Sequence, residues 1–589
     1  MAELCRRLDG LPLALELAAT RVRGLGVREL AVRLEDRFAL LTRGRRGAPE
    51  RQRTLRAVID WSWELLSTPE RVVLRRLAVH RDGCTLEAAE AVCPGDGVVA
   101  EEVLDLVTRL VDRSLAVMTD GPAGPRYGLL ESVAAYAAER LGEADDLGEA
   151  RGRHLRYYTD LAERAEPELR GPGQREWLAR LDAEAANLRA ALETAVGTGD
   201  AVLAGRLAAA LSWWWLLRGR LHEGRRSLAR VCALAPGSAG AQVAHAAFRL
   251  LTGERPGPAS CDVPAPDGAA VPGHLAWLYA YALFNAGDPG TGALDVAAAS
   301  GDRWTTAATL ALRATHAMLR DDLAGADRDA RRGAELFREL GDRWGELQTV
   351  PPLSSVAEIK GDHAEAARLQ EEGLRIAEEL GLAGELSVRH SGLGRLALLA
   401  GDWDRARDLH ERARDLAARQ GHLYGEVHAV MGLALGARRS GDLDAAESFL
   451  ARLRDVYPSS PAGAHLVHAE LGFVAELRGD HESAAASHRR GLEIARSTGE
   501  PRTLALSLEG LAGAAALAGA AERAALLLGA ADGLRGSVGA PLPAAERGDV
   551  ERITASAVAV LGRDAFAATF LHGTNNFLDI AENAGSNFS

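Results

Sequence analysis

GDRWGELQTVPPLSSVAEIKGDHAEAARLQEEGLRIAEELG, residues 341–381, holds one full period of the pattern that organises most of this 589-residue chain. Gly-Asp-Arg-Trp stands at Gly301 and again at Gly341, and Gly-Asp recurs at Gly361, Gly401, Gly441 and Gly479, at steps of 40, 40 and 38 residues. Gly381 and Gly421 extend the first series by the same step. Two interleaved series mean two turns, and hence two helices, per repeat. Each glycine can take the left-handed conformation that ends a helix, and each following aspartate can cap the next one. Seven residues before each Gly-Asp stand Ser354, Gly394, Ala434 and Gly472; five after the glycine stand Ala366, Ala406, Ala446 and Ala484. Small side chains in both columns let the paired helices approach closely.

This is the logic of a tetratricopeptide array stretched to a step near 40. It predicts a TPR-like α-solenoid over 274–535, whose concave face suits a protein or peptide segment. Residues 146–252 read as a helical lead-in with the first TPR-like repeats, and Trp213, Trp214 and Trp215 within it as packing between helix pairs. Residues 253–273, rich in proline and glycine, read as a loop. Residues 536–573 read as a helical cap and 574–589 as an irregular tail.

The first 145 residues follow another plan. Pro12 suits the first position of a helix, since its missing N–H would be unpaired there. Helices are expected over Leu13–Val22 and Val27–Leu41, then a linker over Thr42–Glu50. Further on, Leu55, Val58, Ile59, Leu65 and Leu66 share one helical face. Ser67-Thr68-Pro69-Glu70 supplies a stop and a new start, with Thr68 as N-cap. A short helix is expected over 86–93. Val103, Leu106, Val107, Leu110 and Val111 form an apolar stripe. Strands are expected over Ser114–Met118 and Arg126–Leu130, joined by a turn holding Gly121, Pro122, Gly124 and Pro125, and a last helix over Glu131–Leu141. Three helices, a two-stranded wing and a closing helix make a winged-helix domain over 48–145.

GLPLALELAA from Gly10, RTLRAVIDWSWELLS from Arg53, LVDRSLAV from Leu110 and RYGLLESVAAYAAERL from Arg126 together resemble the ARC and winged-helix segments of STAND-class ATPases. The nearest likeness is to bacterial transcriptional regulators of the AfsR/SARP-like and LuxR-associated type. The resemblance implies a mostly α chain: an ARC-type helical remnant over 1–47, the winged helix, then the solenoid. It places Gly10, Leu11 and Pro12 on the adenine side of a nucleotide that a separate domain would hold. Leu130 and Glu131 fall where relatives carry His-Asp, whose histidine touches the ADP β-phosphate; leucine cannot make that contact. In such regulators the winged helix docks as a lever, the array senses a signal, and a nucleotide-binding, DNA-binding half responds.

Lys360 is the only lysine beside 68 arginines, and Gly361 follows it, so these residues contain no P-loop. ATP or ADP is therefore expected only through a partner domain, with no cofactor of the chain's own. His222, His410 and His481 each precede a glutamate, but Arg226, Arg414 and Ala485 stand where HExxH needs its second histidine. No GxSxG elbow occurs, and Cys5, Cys84, Cys93, Cys232 and Cys261 show no metal-ligand spacing. The chain is expected to be non-enzymatic and without metal. Its net charge of −13 argues against nucleic-acid binding overall, although residues 1–80 hold 16 arginines against 10 acidic residues. Across Glu101–Arg113, Glu101, Glu102, Asp105 and Asp112 outnumber Arg109 and Arg113, a poor match to phosphate and an argument against direct DNA binding. With no apolar run of membrane length and no signal-peptide pattern, a cytoplasmic location is expected. The reading is thus a signal-sensing and relay portion of a regulator; the alternative is a stand-alone TPR scaffold for protein interaction.

Overall fold

The computed structural model describes Gly26 and residues 55–122, 124–254, 271–288, 290–420, 423–456 and 461–584. Gly10, Leu11 and Pro12, the two helices expected before residue 42, Gly421 and most of the 253–273 loop lie outside the described residues. What is described is mostly α, a winged helix followed by a TPR-like solenoid, and it divides into two compact units. Among the described residues no helix is long and apolar enough to cross a membrane.

Unit 1 comprises Met1–Leu169, Arg175–Leu216 and His222–His245. It opens with α1 (Leu55–Glu64) and α2 (Thr68–Leu77). The cap of α2 falls one residue earlier than the sequence predicts: Ser67 is the N-cap, its hydroxyl accepting from Glu70 N–H while its own N–H donates to the Glu70 carboxylate at 2.7 Å. That reciprocal box satisfies two otherwise unpaired donors, which Thr68 could not do because Arg71, not a glutamate, stands three residues after it. A strand the sequence reading lacked, β1 (Cys84–Thr85), leads into α3 (Leu86–Val92), and α4 (Val103–Asp112) buries Val103, Leu106, Val107 and Leu110 of the predicted stripe, with Val111 only partly covered. The wing is β2 (Val117–Gly121) and β3 (Gly124–Gly128), antiparallel, with β1 on the outer edge of β3. β2 starts three residues later than expected. Ser114, at φ 57°, ends α4, and the N–H groups of Leu115 and Ala116 both donate to Leu110 O, so they cannot enter the ladder. The closing helix is α5 (Glu131–Glu143).

The expected winged-helix boundary at 145/146 falls inside unit 1. α6 (Leu147–Glu168), α7 (Gln174–Ala183), α8 (Ala185–Thr198), α9 (Ala201–Leu217) and α10 (Leu221–Leu234) continue in the same unit almost throughout, and α11 (Ala239–Leu251) crosses its end. Trp213, Trp214 and Trp215 on α9 are all buried, as packing between helices requires, with Trp214 Nε1 donating to Asp182 at 3.0 Å.

Unit 2 comprises Arg170–Gln174, Leu217–Leu221 and Ala246–Ser589. After α12 (Gly273–Asn285) and α13 (Thr291–Ala299), the repeats run as α14 (Arg303–Leu319), α15 (Leu323–Leu340), α16 (Arg343–Ile359), α17 (His363–Leu380), α18 (Ala383–Leu399), α19 (Trp403–Gln420), α20 (Leu423–Ser440), α21 (Leu443–Val456), α22 (Pro461–Leu477), α23 (His481–Thr498) and α24 (Pro501–Leu517). Gly301, Gly341, Gly361, Gly381, Gly401, Gly441 and Gly479 all have positive φ, as the repeat predicts. Asp302, Asp342, Asp362, Asp402, Asp442 and Asp480 each accept a backbone N–H three residues on. Both small-residue columns are buried, from Ser354 and Ala434 to Ala366 and Ala484.

Alternate helices of the array touch one another, α14 with α16, α18 with α20 and α22 with α24, and so form one layer. α25 (Ala521–Ser537), α26 (Gly548–Leu561) and α27 (Arg563–Asn575) close the unit, α26 lying against both α24 and α25. The stretch expected as an irregular tail holds another helix, α28 (Phe577–Asn583). Its Phe577 and Ile580 pack on the α25 core and its Ala581 is buried there, giving a polar-looking segment the apolar stripe it needs.

Candidate functional site

Two surfaces could carry function. In the winged helix, α4 is the element placed to enter a nucleic-acid groove. Its exposed side carries Leu104, Asp105, Thr108, Arg109 and Asp112, flanked by exposed Glu101, Glu102 and Arg113, the acidic balance read from the sequence. The wing is also engaged. Arg126 on β3 pairs with Glu184, whose carboxylate accepts from Tyr158 Oη at 3.0 Å and Asn187 Nδ2 at 2.7 Å. Asn187 also donates to Gly83 O at 2.9 Å and accepts from Arg81 N–H at 2.7 Å. His80 meets the Tyr158 ring edge-on and His154 lies tilted against it; burial holds the His154 imidazole down at about 4 and keeps it neutral. A second tie joins α2 to the α5–α6 turn. Arg76, 1% exposed, donates to Asp146 at 2.7 and 3.0 Å and to the carbonyls of Cys93 and Pro94. These buried charges are paired and hydrogen-bonded, and they tie the wing, the closing helix and the lead-in together. Leu130 lies at the N-cap of α5 without a side-chain cap bond, and Glu131 opens that helix on the surface. They are far in sequence from Gly10–Pro12, which lie outside the described residues.

The second surface lies within unit 2. The Arg502 backbone N–H, at the start of α24, donates to Asp321 at 3.1 Å, and its guanidinium pairs with the same carboxylate. Asp321 sits at φ 58° in the turn after α14, 181 positions earlier. The array has therefore wound round on itself, and the α14–α24 layer faces inward. The inner layer carries charged side chains on otherwise apolar helix ends: Glu358 on α16, Arg395 on α18, Arg438 and Arg439 on α20, Glu470 and Glu476 on α22. The segment 540–549, which joins α25 to α26 and includes the first turn of α26, lies against them. Arg395 bridges Glu358 and Glu546, the latter at 2.9 Å. Arg438 bridges Glu470 at 2.6 Å and Asp549 at 3.0 Å. Arg552 closes the set on Glu476 and Asp549. The concave face expected to be open for a partner is thus partly covered by the chain's own residues. Sequence reasoning missed this site. Its signal was a charge three residues before the Gly-Asp turn, at Glu358, Arg438 and Glu476, where the repeat has no structural need of one.

Residues 66–142 match a family model described as a winged helix-turn-helix domain. The chain is 44% identical over 224 residues to "Putative HTH-type transcriptional regulator Rv0890c" of Mycobacterium tuberculosis, a match covering 38% of this chain and 25% of that protein. It is 41% identical over 162 residues to "Uncharacterized protein Rv0894" of the same organism, covering 27% of this chain and 40% of the other. The chain therefore spans about a quarter of the length of the mycobacterial regulator it matches. A crystal structure of a "Signal Transduction ATPase with Numerous Domains (STAND) protein with a tetratricopeptide repeat sensor" from Pyrococcus horikoshii aligns over 96% of this chain and 74% of that one, at 14% identity and a TM-score of 0.34.

Proposed function

We propose that these residues form the sensing and relay portion of a transcriptional regulator of the STAND type, AfsR/SARP-like or LuxR-associated. The repeat array takes a protein or peptide segment, and the winged helix passes the change to a nucleotide-binding, DNA-binding half that is not among these residues. The observation that carries this reading is the Arg126–Glu184–Tyr158–Asn187 cluster, which fastens the wing to the first helices of the lead-in. A wing whose arginine is spent inside the fold, beside an acidic α4, is built to transmit force rather than to read a groove. ATP or ADP acts in this scheme only through the partner half, with Gly10, Leu11 and Pro12 meeting its adenine side and Leu130 and Glu131 leaving the phosphate-sensing position degenerate. The chain performs no catalysis and works in the cytoplasm.

The test is a three-way titration of the full chain with ADP, with a mixed-sequence DNA duplex at low ionic strength, and with a separately expressed P-loop domain of a STAND regulator. Association with the P-loop domain alone is expected. Micromolar ADP binding by the chain itself, or salt-sensitive duplex binding, overturns the relay reading. Failure to bind all three leaves the stand-alone TPR scaffold.

A further inference from the structure

The segment 540–549 has the marks of a ligand rather than of a structural strut. It runs Ala-Pro-Leu-Pro-Ala-Ala-Glu-Arg-Gly-Asp, and none of residues 541–549 is buried, although inner-layer helices face it. Its firm contacts are the ion pairs of Glu546 with Arg395 and of Asp549 with Arg438. Those arginines already hold inner-layer carboxylates, Glu358 and Glu470, so they stay partly paired when the segment leaves. α26 keeps its own anchor, since Ile553 and Ala557 are buried in the cap core downstream of the segment.

Beside the segment lies a cavity of about 560 Å³, lined by Arg438, Arg439, Trp403, Leu477, Glu546 and Asp549. Arg439 makes no ion pair among the described residues. Burial, with repulsion from Arg438, holds its guanidinium below the usual arginine range. A half-buried, unpaired guanidinium facing a cavity has its desolvation uncompensated until an anion arrives. Glu546 and Asp549 are taken by Arg395 and Arg438, which leaves Arg439 without a carboxylate. A second cavity of about 320 Å³ next to Pro541 and Pro543 is lined by Glu358, Glu546, Arg395, Arg502 and Arg535, the three arginines each ion-paired. The covered groove therefore leaves one guanidinium, that of Arg439, and two cavities that its present occupant does not use.

We infer that this inner groove is the binding site for an acidic peptide segment of a partner protein carrying two carboxylates three residues apart, and that residues 540–549 are a built-in competitor for it. The inference rests on the proposed sensing role of the array and names the chemistry of what is sensed. In the unliganded chain Glu546 and Asp549 hold the site closed. A partner segment with a third carboxylate for Arg439 displaces them, freeing the loop that leads into α26. Because the competitor is intramolecular, apparent affinity is lowered by the fraction of chains in which it is seated.

The probe is a fluorescein-labelled synthetic peptide of residues 539–552, titrated into the full chain by anisotropy. Glu546→Ala with Asp549→Ala removes the competitor's charges, and this release variant is expected to bind the peptide about ten-fold or more tighter than the unmodified chain. Adding Arg439→Gln, which breaks no ion pair, is expected to lower that affinity several-fold without moving the thermal transition. The same peptide with Glu546→Lys and Asp549→Lys is expected not to bind. As a check independent of the release variant's folding, amide exchange of 540–549 in the unmodified chain is expected to accelerate when peptide is added. Equal binding by unmodified chain and release variant, equal binding of the lysine peptide, or unchanged exchange overturns the inference. If peptide binding fails while association with the P-loop domain holds, only this inference falls; loss of both removes the sensing role beneath it.

Discussion

At the scale of single residues, two histidines show how closely the array is packed. The ring of His410 on α19 lies between Gly394 and Gly432, and that of His488 on α23 between Gly472 and Gly510. A Cβ at Gly432 would stand 2.1 Å from His410, and one at Gly510 equally close to His488. Gly432→Ala is expected to destabilise unit 2 by about 1–3 kcal/mol, measured by denaturant unfolding of the full chain, with part recovered when His410→Ala is added. Burial lowers both imidazoles to about 3, and neither ring has a hydrogen-bond partner among the described residues. The unfolded chain, with its histidines near the ordinary value, takes up protons first. Stability is therefore full above about pH 6.5 and falls as pH drops from there toward 3, by about 1.4 kcal/mol per unit for each histidine. His410→Leu is expected to flatten that slope; an unchanged slope between pH 6.5 and 4.5 contradicts the assignment. Arg76 is the counterpart in unit 1. Arg76→Ala leaves Asp146 buried without its main partner and is expected to cost about 3–5 kcal/mol, read as loss of the first transition in a calorimetric scan.

At the scale of elements, the turns carry the argument. Asp362 caps α17 by accepting from Glu365 N–H, so Asp362→Ala is expected to cost about 1 kcal/mol. Gly361, at φ 78°, opens into free space, so Gly361→Ala is expected to cost about 1–2 kcal/mol by backbone strain alone. Both are read by denaturant midpoints. These turns were legible in the sequence because each is a local, three- or four-residue matter repeated in register. The Ser67 cap and the late start of β2 were not. They depend on which donor has a partner in three dimensions, and Glu70 and Leu110 O decide that. α28 was missed for a related reason: its apolar stripe is short and looks irregular until α25 is there to cover it.

At the scale of the molecule, the expected winged-helix boundary at 145/146 has members of one buried polar cluster on both sides. Hydrogen exchange is expected to show residues 66–142 and 147–198 opening with one free energy, because Arg126, Tyr158, Glu184 and Asn187 unpair together. Independent opening of the wing overturns the relay role. Within unit 2, meeting of the α14 turn and α24 through Asp321 and Arg502 turns a linear repeat into a surface with an inside. Position in the repeat then acquires a chemical meaning that no single repeat has.

The sequence alone determined the helical class, the winged helix, the 20-residue rhythm of turns and the absence of a P-loop from these residues. All of these follow from local backbone chemistry or from a count of one residue type. Only the tertiary structure decided that the wing is fastened to the lead-in, and that Arg395 and Arg438 meet Glu546 and Asp549. Those pairings join side chains 58 to 151 residues apart. Charges at such separations look, in a sequence, like any solvated helical face until winding brings them together and takes water away.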